Sequence, residues 1–414
     1  MPYCRLFLVI LQPNTAKCFV FCNMGLASVA MKKLRKTINI ILWSLVALYA
    51  AIILMVNLPP VQKAIGGWTS DAIGKKINSR VEIGKVDVGF FNRVIIDDVS
   101  IYDQKDSLLL ASSRVSAKFD VFDAIKGNVS ITSAQLFGLK AYLSKDSANA
   151  PFNFQFILDS LASKEKKEPS RLNLHIGSLI IRNGLICYDQ KDAPVVPGKF
   201  SPKHLQVSDI SSHIVLHKLT QDSLNLYLKK LSLKEKSGLE ISSLTFKAKA
   251  TKSNATLSDF LLKMPNSQIA LGETKLRYDT ESDKPLLKTL DFSTSMADSH
   301  IGLSDLAAFS PNLRDISRPI DIAFNANCHG ENLVVNDLSI KDQGGEMSLF
   351  ANGSIYDFPT FKDWMADVKY LRINENYIES IGEVMKGEDI TMPSIVERIG
   401  DFGYIGTISN HNSE

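Results

Sequence analysis

Residues 114 to 121, RVSAKFDV, place Val115, Ala117, Phe119 and Val121 at every second position, with Arg114, Ser116, Lys118 and Asp120 between them. A period of two is that of a strand with one buried face. DAIKG (123 to 127) then reads as a turn, and the alternation resumes at Val129 and Ile131. The same pattern recurs in RLNLHI (171 to 176), SLNLYL (223 to 228), LTFKAKA (244 to 250), KLRY (275 to 278) and EMSLFANGSI (346 to 355). Each run is bounded by turn-forming residues. Helical spacing is confined to residues 152 to 168, a stretch near 303 to 308, and residues 374 to 387. These helices are too few to cover every strand face, so the body is predicted to be mainly β, a long sheet with one apolar side.

The N-terminal region follows other rules. Lys32, Lys33, Arg35 and Lys36 stand directly before a stretch with no charge from Thr37 to Gln62. Its most apolar part, Ile38 to Leu58, matches the roughly 20 residues a helix needs to cross a bilayer. A cleaved signal peptide would carry a shorter apolar run ending in small residues, whereas here Ala50 and Ala51 are followed by IILMVNL. The segment therefore reads as an uncleaved anchor, its basic end cytoplasmic and the remainder exported. Met31 followed at once by the basic run looks like a natural signal-anchor start, which makes residues 1 to 30 an extension outside the folded protein, the alternative being a membrane-associated segment. Beyond the anchor, Pro59 and Pro60 separate it from a short amphipathic helix expected over residues 59 to 79.

Totals narrow the partners. The 414 residues carry 45% hydrophobic and 22% charged side chains with a net charge of +3, an ordinary globular balance that points away from nucleic acid. Cys4, Cys18 and Cys22 lie in the first 30 residues, leaving Cys187 and Cys328 for the rest. That is no disulfide framework. One Cys187–Cys328 bond stays open, but two lone thiols read more simply as reduced and buried.

Residues that could carry chemistry fall into inert settings. His213 and His217 have the spacing of a helical zinc pair, yet HIVLH alternates, which puts both on the polar face of a strand with no third ligand nearby. NANCHG ends like a haem-attachment sequence, but Asn325 stands where the first cysteine belongs. Gly66-Gly67 and Gly344-Gly345 lack the strand–glycine–helix context of a phosphate-binding loop. An internal echo, VSIYDQKDS (99 to 107), LICYDQKDA (185 to 193) and LSIKDQGGE (338 to 346), repeats a strand followed by a polar turn. Its acidic turn lacks the glycine and distal glutamate of a calcium loop. No catalytic residue, metal or cofactor is predicted, and the chain is read as a non-enzyme.

The segment KFDVFDAIKGNVSITSAQLFGLKAYL (118 to 143) resembles the AsmA-like superfamily, the pattern being carried by Phe119, Val121, Phe122, Ile125, Gly127, Val129, Ile131, Leu136, Leu139 and Leu143. With the basic N-terminus, the single anchor and IGSLIIRNGLICY downstream, the chain from residue 31 resembles the N-terminal portion of a Bacteroidetes-type member of the TamB family, a translocation and assembly module protein. That resemblance implies an elongated, curved, taco-shaped sheet with an open lipid-lined groove, anchored in the inner membrane with its bulk in the periplasm. It implies transport of phospholipids between inner and outer membranes, support of outer-membrane biogenesis, and a TamA-like or BamA-like outer-membrane barrel as partner. Members of the family are usually several times longer and end in a domain that meets the barrel, so the chain is expected to be a piece of such a protein.

The domain layout expected from these readings is an extension (1–30), an anchor helix (31–58), a short helix (59–79), a repetitive β-groove (80–373), and a helical stretch opening further β-structure (374–414). About 280 strand-rich residues at roughly 13 per strand give about 20 strands, or on the order of 100 Å of sheet. The groove lining is expected to include Val115, Ala117, Phe119, Val121, Val129, Ile131, Leu139 and Leu143. Periodicity alone leaves two uses for this apolar face. The sheet can form an open trough for acyl chains, or sheets can pack face to face as sandwiches and serve as an anchored scaffold or chaperone for outer-membrane β-barrel proteins.

Overall fold

The computed structural model describes residues 15–89, 92–120, 130–162, 175–219, 222–279, 286–314, 316, 318–378 and 400–410. The chain divides into two compact units, Met1–Gln62 and Lys63–Glu414. In the first, helix α1 runs from Thr15 to Val56, so it starts well before Met31 and passes through the basic run without a break. Its stretch Leu34–Val56 has a mean hydropathy of 2.4, and of its residues only Ile53 is buried. That is one helix long and apolar enough to span a membrane.

Helix α2 (Pro59–Ile77) begins on its two prolines, which the first helical turn tolerates because those N–H groups have no partner within the helix. It ends where Asn78 takes a left-handed conformation (φ 51°) and the Ser79 N–H reaches back to the Gly74 carbonyl at 3.0 Å. This six-to-one bond closes a Schellman cap.

The second unit is mainly β, with strands making up 56% of the chain and nineteen strand segments joined in one sheet. Strands β1 (Val81–Gly89), β2 (Arg93–Tyr102) and β3 (Leu108–Phe119) form an antiparallel meander. β4 (Ser130–Phe137) and β5 (Lys140–Lys145) are collinear halves of one strand antiparallel to β3. β6 (His175–Ile176) and β7 (Ser178–Gln190) then lie parallel to β4 and β5. A parallel pair needs a crossover rather than a hairpin, and the connection here carries helix α3 (Gln155–Ala162).

From there the meander resumes through β8 (His204–Leu219), β9 (Ser223–Glu235), β10 (Glu240–Thr251) and β11 (Asn254–Lys263). The halves β12 (Gln268–Leu271) and β13 (Thr274–Arg277) follow, then β14 (Asp291–Gly302), β15 (Pro319–His329) and β16 (Asn332–Asp342). The ladder closes with β17 (Met347–Ile355), β18 (Trp364–Ile373) and β19 (Phe402–Ser409).

The strands read from alternation at 223–228 and 244–250 fall inside β9 and β10, and those at 275–278 and 346–355 coincide with β13 and β17 but for one end residue each, Tyr278 and Glu346. Near 303 to 308 there is a single 3₁₀ turn, Leu303–Leu306, and of 374–387 the described residues 375–378 are helical. Residues 163–168, 171–174 and 379–387, the DAIKG turn, Val121 and Val129 lie outside the described residues.

One outer edge of the sheet is covered. α2 lies against β1, where the Ser70 hydroxyl donates to the Val81 carbonyl at 2.7 Å. A Cβ at Gly66 would stand 3.4 Å from the Ile83 carbonyl oxygen, 3.6 Å from that of Gly84 and 3.7 Å from the Ile83 side chain, so the helix lies close to the strand and leaves room there for little more than a methyl group. Covering an edge in this way blocks pairing with another chain.

Candidate functional site

The apolar face of the sheet is the candidate site, and it is built residue by residue across the ladders. Val94 of β2 faces Ala117, Ala117 faces Ala134, and Ala134 faces Leu179. Leu179 faces Ile214, Ile214 faces Leu228, and Leu228 faces Phe246. The Phe246 and Phe260 rings stack with centroids 6.4 Å apart, and the row runs on through Leu271, Met296 and Phe324. Beyond β15 it continues as Leu338, Ala351 and Val368. Apolar positions thus follow one another from β2 to β18, Phe324 and Leu338 meeting at the register shift between β15 and β16.

Of the expected lining residues, Ala117 belongs to this row and Val115, Phe119 and Ile131 pair across the same two strands, while Val121 and Val129 lie outside the described residues. Phe119 pairs with Ile131, Val115 with Leu136, and Ala141 lies between Leu139 and Leu143 on the strand that pairs with Leu110. Val115, Ala117, Phe119, Ile131, Leu139 and Leu143 are all half-buried. Among the described residues only Leu109 and Cys328 have less than 2% of their surface exposed. A face sealed by a second layer would bury its large side chains outright; this one leaves most of them partly in solvent. The compact exception is a cluster of Ala326, Cys328 and Leu333 with Phe292, Phe324, Val335, Ile355 and Phe358 packed round it.

What the alternation did not reveal is a line of irregular backbone positions through the middle of the sheet. Asp98 (φ 55°), Asn183 (54°), Asp209 (53°), Asp259 (54°), Asp298 (49°) and Asp337 (52°) each adopt a left-handed conformation inside a strand. Aspartate and asparagine enter that region more readily than other non-glycine residues. Gly138 (φ 60°) separates β4 from β5, and a Cβ there would meet the Ser113 hydroxyl oxygen of β3 at 2.8 Å.

The ladders shift register at or beside these positions, as between Ile181 and Gly184, Ser208 and Ser211, Met296 and Ser299, and Val335 and Leu338. Each bulge reverses the parity of the face. Leu333 and Val335 are odd-numbered and Leu338 and Ile340 even, yet their partners Ile355, Gly353, Ala351 and Leu349 are alternate residues of β17, which places all four on one side. A matching slip in alternation centred on Asp or Asn, as in VIIDDVSI or VVNDLSI, is the signal that could have located the line beforehand.

The opposite face is polar and ion-paired. Asp97 is buried and takes the Arg114 guanidinium at 2.6 Å and the Lys85 ammonium at 3.4 Å. Its carboxyl is held below the ordinary carboxylate range, first by the hydrogen bond from Arg114. Lys247 pairs with Asp259 at 2.7 Å.

His213 lies within β8, half-buried rather than on a solvent face, with Nε2 3.4 Å from the Ser178 hydroxyl. Burial pushes its pKa down. His217 is exposed, and among the described residues no group of three or more His, Cys, Asp or Glu side chains is placed to hold a metal ion. Cys187 and Cys328 are free thiols, Cys187 half-buried and Cys328 buried, and burial raises both pKa values. The three YDQKD-like echoes close strands β2, β7 and β16. In the first, the Asp103 carboxylate accepts the N–H groups of Lys105 and Ser107, each at 2.8 Å, which is a turn rather than a cation loop. Of the basic run, Arg35 and Lys36 are exposed on α1, while the side chains of Lys32 and Lys33 lie outside the described residues. No family model, curated protein or solved structure matches the chain.

Proposed function

We propose that this chain is a membrane-anchored lipid-transfer element. Its sheet curls about the line of bulges into an open trough, and phospholipids move along the apolar face between inner and outer membrane in support of outer-membrane biogenesis. The observation that carries this reading is the mostly half-buried apolar row from Val94 to Val368, in which only Leu228, Ala351 and Val368 are buried. Bulges bend strands and increase their twist, so a line of them through successive strands favours a fold along the sheet's length. Acyl chains in water lose roughly 0.8 kcal/mol for every exposed CH₂. A continuous apolar surface removes that cost at every step and needs no nucleophile, metal or cofactor. The resemblance of residues 118–143 to the AsmA-like superfamily, and of the chain from residue 31 to the TamB family, supports the same reading, with the single α1 span as inner-membrane anchor, the bulk of the chain in the periplasm and an outer-membrane barrel as the partner at the far end.

Phe119→Glu is the test. In a trough open to solvent the carboxylate finds water, so circular dichroism and melting temperature stay near wild type while phospholipid retained on the purified protein falls. In a closed sandwich the charge would be desolvated at a cost of several kcal/mol, comparable to a domain's whole stability. Loss of cooperative unfolding would therefore favour the scaffold reading, and unchanged lipid in a folded variant would remove Phe119 from the path. One observation favours the scaffold as the second reading: β19 leaves Ile405 with 75% of its surface exposed on a strand with no charged residue, a surface suited to strand addition.

A further inference from the structure

α2 has two working sides. One packs on β1 through Gly66, Ser70 and the buried Ile77. The other carries Ala64, Trp68, Ala72 and Lys75, a single stripe at helical spacing, and all four are exposed. Trp68 leaves 75% of its surface uncovered and stands about 200° round the helix from Gly66, pointing away from the sheet. A Cβ added at neighbouring Gly67 would meet nothing within 4 Å. Lys63, Lys75 and Lys76 are exposed as well, with Asp71 the one acidic group on the helix.

We propose that the outward stripe of α2 lies in the headgroup region of the bilayer that α1 spans, with the Trp68 indole as its anchor. The occupant follows from chain continuity and charge. α2 begins three residues after the apolar span ends at Val56, and from Pro59 to Trp68 it rises only about 14 Å. Tryptophan favours that depth because its ring is apolar while its N–H still finds a hydrogen-bond acceptor, and lysines beside it face anionic headgroups. The helix that covers the first strand of the sheet thereby seats that strand at the membrane surface. This rests on the reading of α1 as a membrane span.

The chain contains three tryptophans, and two single-tryptophan variants separate the claims. W43F/W364F keeps Trp68, and W68F/W364F keeps Trp43, which lies near the middle of the apolar span. The full chain is reconstituted at low protein-to-lipid ratio in phosphatidylcholine vesicles with a minor share of phosphatidylglycerol, using lipids brominated either near the headgroup or near the end of the acyl chain. Trp68 is expected to emit at shorter wavelength than a solvent-exposed tryptophan, to resist aqueous iodide, and to be quenched more by the shallow bromines. Trp43 is expected to be quenched more by the deep ones. Iodide quenching of Trp68 as in free solvent overturns the proposal, as does a protected Trp68 blind to both bromolipids, because protein then covers it. Failure of deep quenching at Trp43 would instead overturn the span. If a W364F variant loses its cooperative melt, W364Y takes its place.

Discussion

Asp298 sits at φ 49° in the middle of β14, in a conformation that costs an ordinary L-residue about 1–2 kcal/mol and a glycine nothing. If the bulge is a built-in bend, Asp298→Gly should keep or slightly raise the melting temperature. Asp298→Val should lower stability by about 2 kcal/mol, because a β-branched side chain fits that region worst. Equal melting temperatures for the two variants would mean that the position imposes no backbone demand. Asp97 reports on the other face. Its folded-state pKa is depressed, so its contribution is complete above the unfolded value of about 4 and is lost as pH falls through the lower folded value. Asp97→Asn should cost about 1–2 kcal/mol near neutral pH, and the gap from wild type should narrow as pH drops from about 5 toward 2 in denaturant titrations.

At the scale of elements, sequence reading found most of the strands and the long apolar helix but not the bulges or how far that helix extends, for identifiable reasons. Val115, Ala117 and Phe119 alternate strictly and do share a face. Strict alternation, however, would have excluded Ala134 and Leu136 from a face that holds Ile131 and Leu139. The shift beside Phe119 and the break at Gly138 bring all four together. A bulge depends on backbone dihedrals that hydrophobicity does not encode, so pattern alone could not see it. α1 begins at Thr15 because the residues before the basic run are themselves apolar enough to extend the helix, and basic side chains do not terminate one. The seat of α2 on β1 was equally hidden, since the close approach at Gly66 is a tertiary contact that no pattern in the chain announces. Gly66→Val should push the helix off the strand, lowering the melting temperature and increasing aggregation, whereas Gly67→Ala, in open space, should add up to about 1 kcal/mol of helix stability. If both variants melt alike, α2 does not depend on a close approach to β1.

Across the whole molecule, the division into an apolar helix and a β unit carries a topological expectation. A reporter active only outside the cytoplasm, fused after Ser79, should be active and stay with the membrane fraction. A soluble, cleaved product would make the N-terminal segment a signal peptide. The candidate face was legible locally in RVSAKFDV, but its continuity was not, because the row from Val94 to Val368 exists only once each strand's register is known.

The meander has a further consequence, for how the sheet comes apart. Almost every strand pairs with its neighbours in sequence, so the second unit is close to a one-dimensional array whose stability is a sum over adjacent ladders. An interior strand can leave only by breaking two ladders. β19, held by β18 alone among the described strands, breaks one. Its amides should exchange with solvent through small local openings while the strands of the middle, such as β8 and β9, exchange only when much larger stretches of sheet open.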